Sequence, residues 1–497
     1  MFGLAILTGL IFITNVSGGI TTLIKGGKSQ AIKKPMLILP FMIIAIVIGM
    51  MLVNFFCSPM FNAKSYSKRI TIKEDGNFTK DIEKVDFNTL PLLDRDSSEK
   101  LGDRVMGQMK DLVSQFYVSN QYTQINYNND IIRVTPLEYA DLIKWISNRK
   151  EGVSGYITVN SVDGSSKLER LDKGMKYMPS AYFNENLLRK LRFKYPSTIF
   201  GESKFEIDNE GNPYWITPTI KYTGVGLKTK ITGVVIFNPI TGESKKYKID
   251  NVPTWVDNAY DAELLIEQVD DWGTYKRGFF NSIFGQKDVV NTTEGYNYLA
   301  MNDDIYMYTG ITSVLADESN LGFILSNMRT GETIFYSVPG AEEYSAMRSA
   351  EGQVQQMKYT STFPLLINLN NKPTYLVSLK DAAGLVKMYG FIDVADYQKV
   401  VVTDASKGIE VAAQNYLNNN EEEIKDDTLV KETIKIKEIN AIVKSGNTYY
   451  YIKDENDKKY KVSISVNDEL PFIKQEDSIT IGYYNIKQEI IEIKKLY

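Results

Sequence analysis

The residues whose types and spacing could do chemistry are carboxylates in adjacent pairs: Asp270-Asp271, Asp303-Asp304, Asp317-Glu318 and Glu342-Glu343. Two carboxyl groups at a suitable separation suffice for glycoside hydrolysis. Adjacent acids more commonly are solvated charges in loops or at helix starts, where the helix dipole favours them. The chain contains no histidine, which removes the commonest general base, the commonest zinc ligand and the usual pH switch. Its single cysteine, Cys57, excludes an intrachain disulfide and a thiolate metal cluster. Asp208-Asn-Glu-Gly-Asn212 has the start of a calcium loop without the remaining ligands, and reads as a hairpin turn. Gly27-Lys28-Ser29 imitates the end of a phosphate-binding loop, but Thr22 stands where that motif needs glycine. No catalytic, cofactor-binding or metal-ligating set converges, and no cofactor is expected.

A second chemistry is stacking. Tyr449, Tyr450, Tyr451 and Tyr460 lie in the C-terminal segment, and aromatic platforms of that kind bind single-stranded nucleic acid. Alternate tyrosines on one strand face opposite sides, so some belong to a core. Setting aside the four lysines of residues 1–56 leaves 53 basic against 61 acidic residues, a net charge near −8. A body of that sign has no overall field for a polyanion, so nucleic acid is not the expected partner.

The elements that must position these groups begin with a membrane anchor. From Met36 to Phe56 only Asn54 is strongly polar, and a length near ~20 residues matches the hydrocarbon of a bilayer. Phe2 to Ile24 carries no charge and is expected to be a second span; Gly3, Gly9, Ser17, Gly18 and Gly19 would let the two helices approach closely. The connecting loop Lys25–Lys34 is basic, which places it in the cytoplasm and both termini outside. Lys64, Lys68, Arg69 and Lys73 nearly balance that bias on the other flank; the acidic, cysteine-free body favours the extracytoplasmic side. The residues before Cys57, Val53-Asn-Phe-Phe56, lack the small side chains of a lipid-attachment site.

Residues 61–93 read as an extended lead-in. Ser97 or Ser98 is expected to cap a helix whose stripe is Leu101, Val105, Met109, Leu112 and Phe116. A helix from Pro136 to Asn148 and the basic helical run Asn184 to Lys194 complete an α/β module ending near residue 200.

Two later segments align. Tyr222-Thr-Gly224, Gly233, Thr241-Gly-Glu243, Tyr247 and Val252-Pro253 match Tyr308-Thr-Gly310, Gly322, Thr330-Gly-Glu332, Tyr336 and Val338-Pro339, with the same spacing from Gly233 or Gly322 onward to the tyrosine. The pattern predicts a repeated antiparallel hairpin with a helix after it, Asp257 to Tyr275 and Gly340 to Met357. A third copy without the Thr-Gly-Glu turn is expected over 372–417. The motif Asn238-Pro-Ile-Thr-Gly-Glu243, preceded by Tyr214-Trp215-Ile216, resembles the hairpin of PepSY-type modules, small α+β units of secreted and membrane-attached bacterial proteins. Leu101-Gly-Asp-Arg104, Pro136-Leu-Glu-Tyr139 and Gly295-Tyr-Asn-Tyr298 resemble pieces of a family of membrane-anchored proteins from Gram-positive bacteria. That resemblance implies a surface location and supplies no site. A charged run after Leu417 reads as a linker, and five short strands over 433–497 suggest an OB-like barrel.

The expected fold is α+β: a two-helix anchor over 1–60, an α/β membrane-proximal domain over 61–200, PepSY-like hairpin and helix units over 201–420, and an OB-like barrel over 433–497. The expected function is non-catalytic: an extracytoplasmic binding, scaffolding or regulatory protein at the plasma membrane, with a protein or envelope-polymer partner. A carboxylate-dependent envelope hydrolase and a nucleic-acid binder acting through the barrel are the alternatives.

Overall fold

The computed structural model describes residues 34–497 apart from 88, 223–227, 315–318, 420–428, 445–446, 468 and 486–488. The expected first span Phe2–Ile24, its basic loop up to Lys33, the pair Asp317-Glu318 and the charged run from 420 lie outside the described residues, as do Thr223 and Gly224 of the first aligned segment. The described chain mixes helices with four sheets and a five-stranded C-terminal barrel.

The four sheets repeat one plan. In each, an edge strand split into two short pieces pairs along one side of a long strand, which pairs with a third strand and that with a fourth. The long strands are Asp130–Tyr139, Pro213–Tyr222, Asp304–Ser313 and Lys372–Lys380. A helix follows each sheet: Leu187–Lys194, Ala262–Tyr275, Glu343–Gln353 and Ile409–Asn419. We call these units one to four. Units two and three contain the hairpins aligned by sequence, Thr229–Phe237 with Ser244–Lys248 and Ser319–Asn327 with Thr333–Tyr336.

Unit one carries the same plan where an α/β module was expected. Pro136 lies inside the long strand, opposite Tyr156, and the helix there is only Leu142–Asn148, capped by Asp141. The preceding helix is Arg95–Gln108, and its cap is Asp94, whose carboxylate accepts the Ser97 N–H at 3.0 Å; Ser97 and Ser98 are instead buried on the helix's inner face. Phe116 has left that helix and begins the split edge strand. Part of the lead-in is also in a sheet, since Ile72–Gly76 pairs in parallel with Thr333–Tyr336 of unit three.

The turn between third and fourth strands shows why these sequences fold alike. Its first residue is Asn160, Asn238, Asn327 or Asp393, and each Oδ1 accepts the N–H groups two and three residues on, at 2.8–3.2 Å. A short polar side chain thus replaces the missing strand partners. Gly164, Gly242 and Gly331 close the first three turns at φ between 75° and 78°, where a side chain is strained. At the tip before the long strand, Asn128-Asn129, Asn302-Asp303 and Asn370-Asn371 each put two residues at positive φ, the geometry of a two-residue hairpin. Unit two uses Asp208–Asn212 there, with Asp208 Oδ1 accepting the N–H groups of Glu210 and Asn212.

Units one and two share an apolar core that runs from Val105 to Phe237 and includes Trp145, Phe205 and Trp215. Units three and four share another, around Tyr308, Phe323, Tyr375 and Phe391, which Leu429 and Tyr484 of the C-terminal segment also join. Burying one such aromatic side chain contributes ~2–3 kcal/mol.

In the barrel, Val430–Lys444 pairs at one end with Ser478–Tyr483 and at the other with Asn447–Asp454; Lys459–Ser463 follows and pairs in parallel with Ile490–Leu496, which closes the ring. Tyr460 is fully buried in its core.

Helix Lys34–Phe56 carries the apolar run, with Met51, Val53, Phe55 and Phe56 exposed. Among the described residues no single helix is long and apolar enough to cross a membrane; Met42–Phe56 and Pro59–Ser67, bent by 55°, meet that test together.

If the turn cap rather than the Thr-Gly-Glu sequence specifies the unit, alanine at the cap should cost similar amounts in dissimilar turns. N160A and N238A are each expected to destabilise by ~1–2 kcal/mol, from two N–H groups left without a partner. N327A should cost more, because Asn327 Nδ2 also donates to Asp304 at 2.8 Å. Urea unfolding midpoints measure this; a neutral N160A would refute the equivalence.

Candidate functional site

The split in each edge strand is where the four units meet. After the first short piece the chain leaves the sheet, and the same hydrogen bond marks the departure every time: Ser119 N–H to Pro136 O, Gly201 N–H to Pro218 O, Thr293 N–H to Gly310 O and Thr362 N–H to Ser378 O, all at 2.8–3.0 Å. The second piece then resumes pairing along the long strand. A backbone freed from its ladder turns its side chains into new directions, and the four splits line one cavity of about 590 Å³. Asn120 and Tyr122 come from unit one, Glu202 from unit two, Tyr296 from unit three and Phe363 from unit four, with Pro91–Asp96 crossing between the halves. The volume falls within the ~300–1,000 Å³ typical of small-molecule sites.

The cavity wall is rich in hydrogen-bond donors. Arg133, on the long strand of unit one, is 6% exposed. Its guanidinium donates to Leu93 O, to Ser98 Oγ at 3.1 Å and to Gln124 Oε1 at 2.8 Å. All three acceptors are neutral, and among the described residues no carboxylate forms an ion pair with it. Burial pushes its pKa down to about 10, so it keeps its charge at neutral pH. Because Gln124 turns its oxygen to Arg133, its Nε2 is left as a buried donor without a partner. Lys204 Nζ donates to Tyr260 O at 2.9 Å and lies 4.0 Å from Asp261; burial lowers its pKa, against the pull of Asp261 and Glu206.

The acids of the wall have structural tasks. Asp94 caps a helix and pairs with Lys380 across from unit four. Burial works to raise its pKa, but the hydrogen bonds from Lys380 and Ser97 outweigh that and hold it low. Asp261 caps helix Ala262–Tyr275 through the Glu263 N–H.

Behind the wall sit two buried acids, Glu206 and Asp257. Glu206 accepts the N–H groups of Asp257 and Asn258 at 2.9 Å, and Asp257 accepts that of Asn126 at 2.7 Å. Burial pushes both carboxyls up, Glu206 to about 7, and their proximity adds to the shift of Asp257.

The acidic pairs among the described residues do not line this cavity. Asp270 accepts from Thr292, and Asp271 pairs with Arg69. Asp303 occupies a hairpin tip, Asp304 holds Arg329 and Asn327, and Glu343 is buried against Asn320. Glu342 lies 3.7 Å from Arg348. Among the described residues no group of three or more His, Cys, Asp or Glu could hold a metal ion. Sequence reasoning missed Arg133, Gln124, Lys204, Glu206 and Asp257. The signal was present: Arg133 interrupts Ile131-Ile-Arg-Val134, and Glu206 interrupts Phe205-Glu-Ile207, charged residues inside runs too apolar to face water on either side.

The two raised carboxyls tie stability to pH. A folded-state pKa above the unfolded value means the native state holds the proton more tightly, so this stabilisation is complete below the unfolded pKa and is lost as pH rises toward 7 and beyond. Between pH 5 and 8 the wild type should lose more stability than D257N, which lacks one of the two raised carboxyls. Thermal unfolding across that range tests it, and parallel slopes would show that the pair is not proton-linked. Neither a protein-family model nor a curated protein sequence matches the chain, so the site stands on its own residues.

Proposed function

We propose that the protein is a membrane-tethered, non-catalytic binding or regulatory protein of the cell envelope, and that its body, outside the cytoplasm, takes a small anionic ligand in the central cavity. The carrying observation is Arg133: a buried guanidinium on the wall of a cavity, held by neutral acceptors. Asp94 acts on that charge without forming an ion pair with it, and a carboxylate or phosphate bound in the cavity adds charge-assisted hydrogen bonds. Gln124 Nε2 supplies a further donor. A regulatory reading follows from the geometry, because a ligand touching all four units favours their docked arrangement over any looser one.

Tethering is supported by the apolar helix Lys34–Phe56 and its exposed side chains, and the extracytoplasmic placement by the acidic balance of the body. The PepSY-type reading of residues 211–255 and 296–340 is supported by the capped hairpin and following helix of units two and three. The barrel's strand order, one-two-three-five-four and back to one, supports the OB-like reading. Nucleic-acid binding through it draws little support: Tyr460 is core, and Lys435, Lys437, Lys458 and Lys459 are matched by carboxylates.

The test is thermal stabilisation of the detergent-solubilised full chain by millimolar citrate, glucuronate and glycerol phosphate, with R133M alongside. A ligand at ~100 times its Kd adds about 2.7 kcal/mol to stability. At least one acidic probe should raise the wild-type midpoint, and R133M should weaken that probe ~10–100-fold, the worth of a hydrogen bond to a charged group. No stabilisation by any acidic probe, or equal stabilisation of R133M, overturns the reading. Protease treatment of intact cells should degrade the body from outside; full protection would reverse the topology.

A further inference from the structure

We propose that the segment Lys276–Lys287 is a second membrane contact, inserting Phe280, Ile283 and Phe284 into the same bilayer surface from which helix Lys34–Phe56 emerges. The proposal rests on the tethered reading and adds to it a fixed orientation of the body.

The three side chains are 61%, 50% and 80% exposed, on a segment that is otherwise well tied. Ser282 Oγ donates to Phe279 O at 2.7 Å and Asn281 Nδ2 to Lys287 O at 2.9 Å, so the apolar side chains are presented on a closed turn. Aromatic and aliphatic residues held outward in this way lose contact with water only if something apolar covers them.

The covering surface follows from the chain's polarity. Helix Ala262–Tyr275 is gripped by the juxtamembrane segment in antiparallel order: Tyr66 stacks edge-on against Tyr275 at 5.8 Å, while Arg69, further along, pairs with Asp271 and Glu267, nearer the helix start. Moving back from Tyr66 toward the apolar helix therefore leads past the C-terminal end of helix Ala262–Tyr275, which is where Lys276–Lys287 begins. The link is short and bonded. Tyr66 Oη donates to Cys57 O at 3.0 Å, Asn62 Nδ2 donates to Phe56 O at 2.6 Å, and Phe61 stacks against Phe55 and Phe56. The end of the apolar helix is thus tied through Tyr66 to Tyr275, and Met60 and Phe61 in the link are exposed.

The charges suit an anionic phospholipid surface. Lys68 and Lys230 line a shallow pocket of about 240 Å³ beside Tyr66, together with Lys228, whose amine is paired with Glu267. Lys276 lies over the Trp272 ring at 4.5 Å, placing an amphipathic pair next to the apolar turn. Apolar side chains flanked by lysine and tryptophan are the composition of an interfacial anchor.

The experiment uses the full chain in vesicles of phosphatidylcholine and phosphatidylglycerol. In a C57S background, which removes the native thiol, single cysteines F284C, V53C and K407C are labelled with an environment-sensitive fluorophore. Phe284 is largely exposed, so its label leaves the core alone. The expected result is that nitroxide-bearing lipids quench the label at position 284 as strongly as that at 53, while 407 stays unquenched. Quenching at 53 with none at 284 overturns this inference and leaves the tether standing. Absence of quenching at both brings down the tether and, with it, the second contact.

Discussion

A buried backbone group must find a hydrogen-bond partner, and this constraint shapes everything central in the molecule. An edge strand that simply stopped would leave its amides stranded at the junction of four sheets. Here each edge strand departs through a single N–H donated back to the long strand, at Ser119, Gly201, Thr293 and Thr362, then returns to pairing. The departure costs little, because only three or four residues leave the ladder each time. Its consequence is a cavity whose wall comes from four equivalent positions, so the site is a product of the repeat.

The same constraint explains what was legible in the sequence. Hairpins with Thr-Gly-Glu announced themselves because glycine at positive φ has a recognisable neighbourhood. The fold's actual signature lies three residues before that threonine, the Asn or Asp whose Oδ1 caps two amides, and it survives in Asp393 where the glycine is gone. Unit one stayed hidden for a further reason. Helix Leu142–Asn148 is inserted between its long and third strands, which breaks the spacing, and Pro136 in a strand mimics a helix start. Proline is tolerated there because strand Phe116–Val118 ends at Leu137, and the neighbouring Pro136 gives only its carbonyl, to Ser119. The barrel's strands were readable almost one for one, although the pairs that close it, Val430–Lys444 with Ser478–Tyr483 and Lys459–Ser463 with Ile490–Leu496, are not local hairpins.

The site was less legible than the fold because its residues are scattered and individually ordinary. Paired acids attract notice in a sequence, yet several of these are engaged by the fold: Asp271 holds Arg69, Asp304 holds Arg329, and Asp270 receives a strand end. Each of these three meets a donor within the fold. The candidate site instead rests on a buried cation held by neutral acceptors and on a buried amide donor without a partner. Arg133 and Gln124 are noticeable only when burial and partners are both known, and neither can be counted from sequence.

Repetition of backbone with divergence of side chains has a physical outcome for recognition. The four splits present equivalent main-chain geometry, but their side chains differ: amides and Tyr122 from unit one, Glu202 and Lys204 from unit two, Tyr296 and Tyr298 from unit three, Phe363 and Leu365 from unit four. Charged, aromatic and amide side chains thus meet in one cavity. A symmetric wall would accept a ligand in four orientations at equal energy, whereas this one distinguishes them. If an anionic ligand occupies the cavity as proposed, Arg133 would receive its negative group. Because units one and two share one core and units three and four another, such a ligand would span the junction between the two halves. Its binding energy would then oppose opening of that junction.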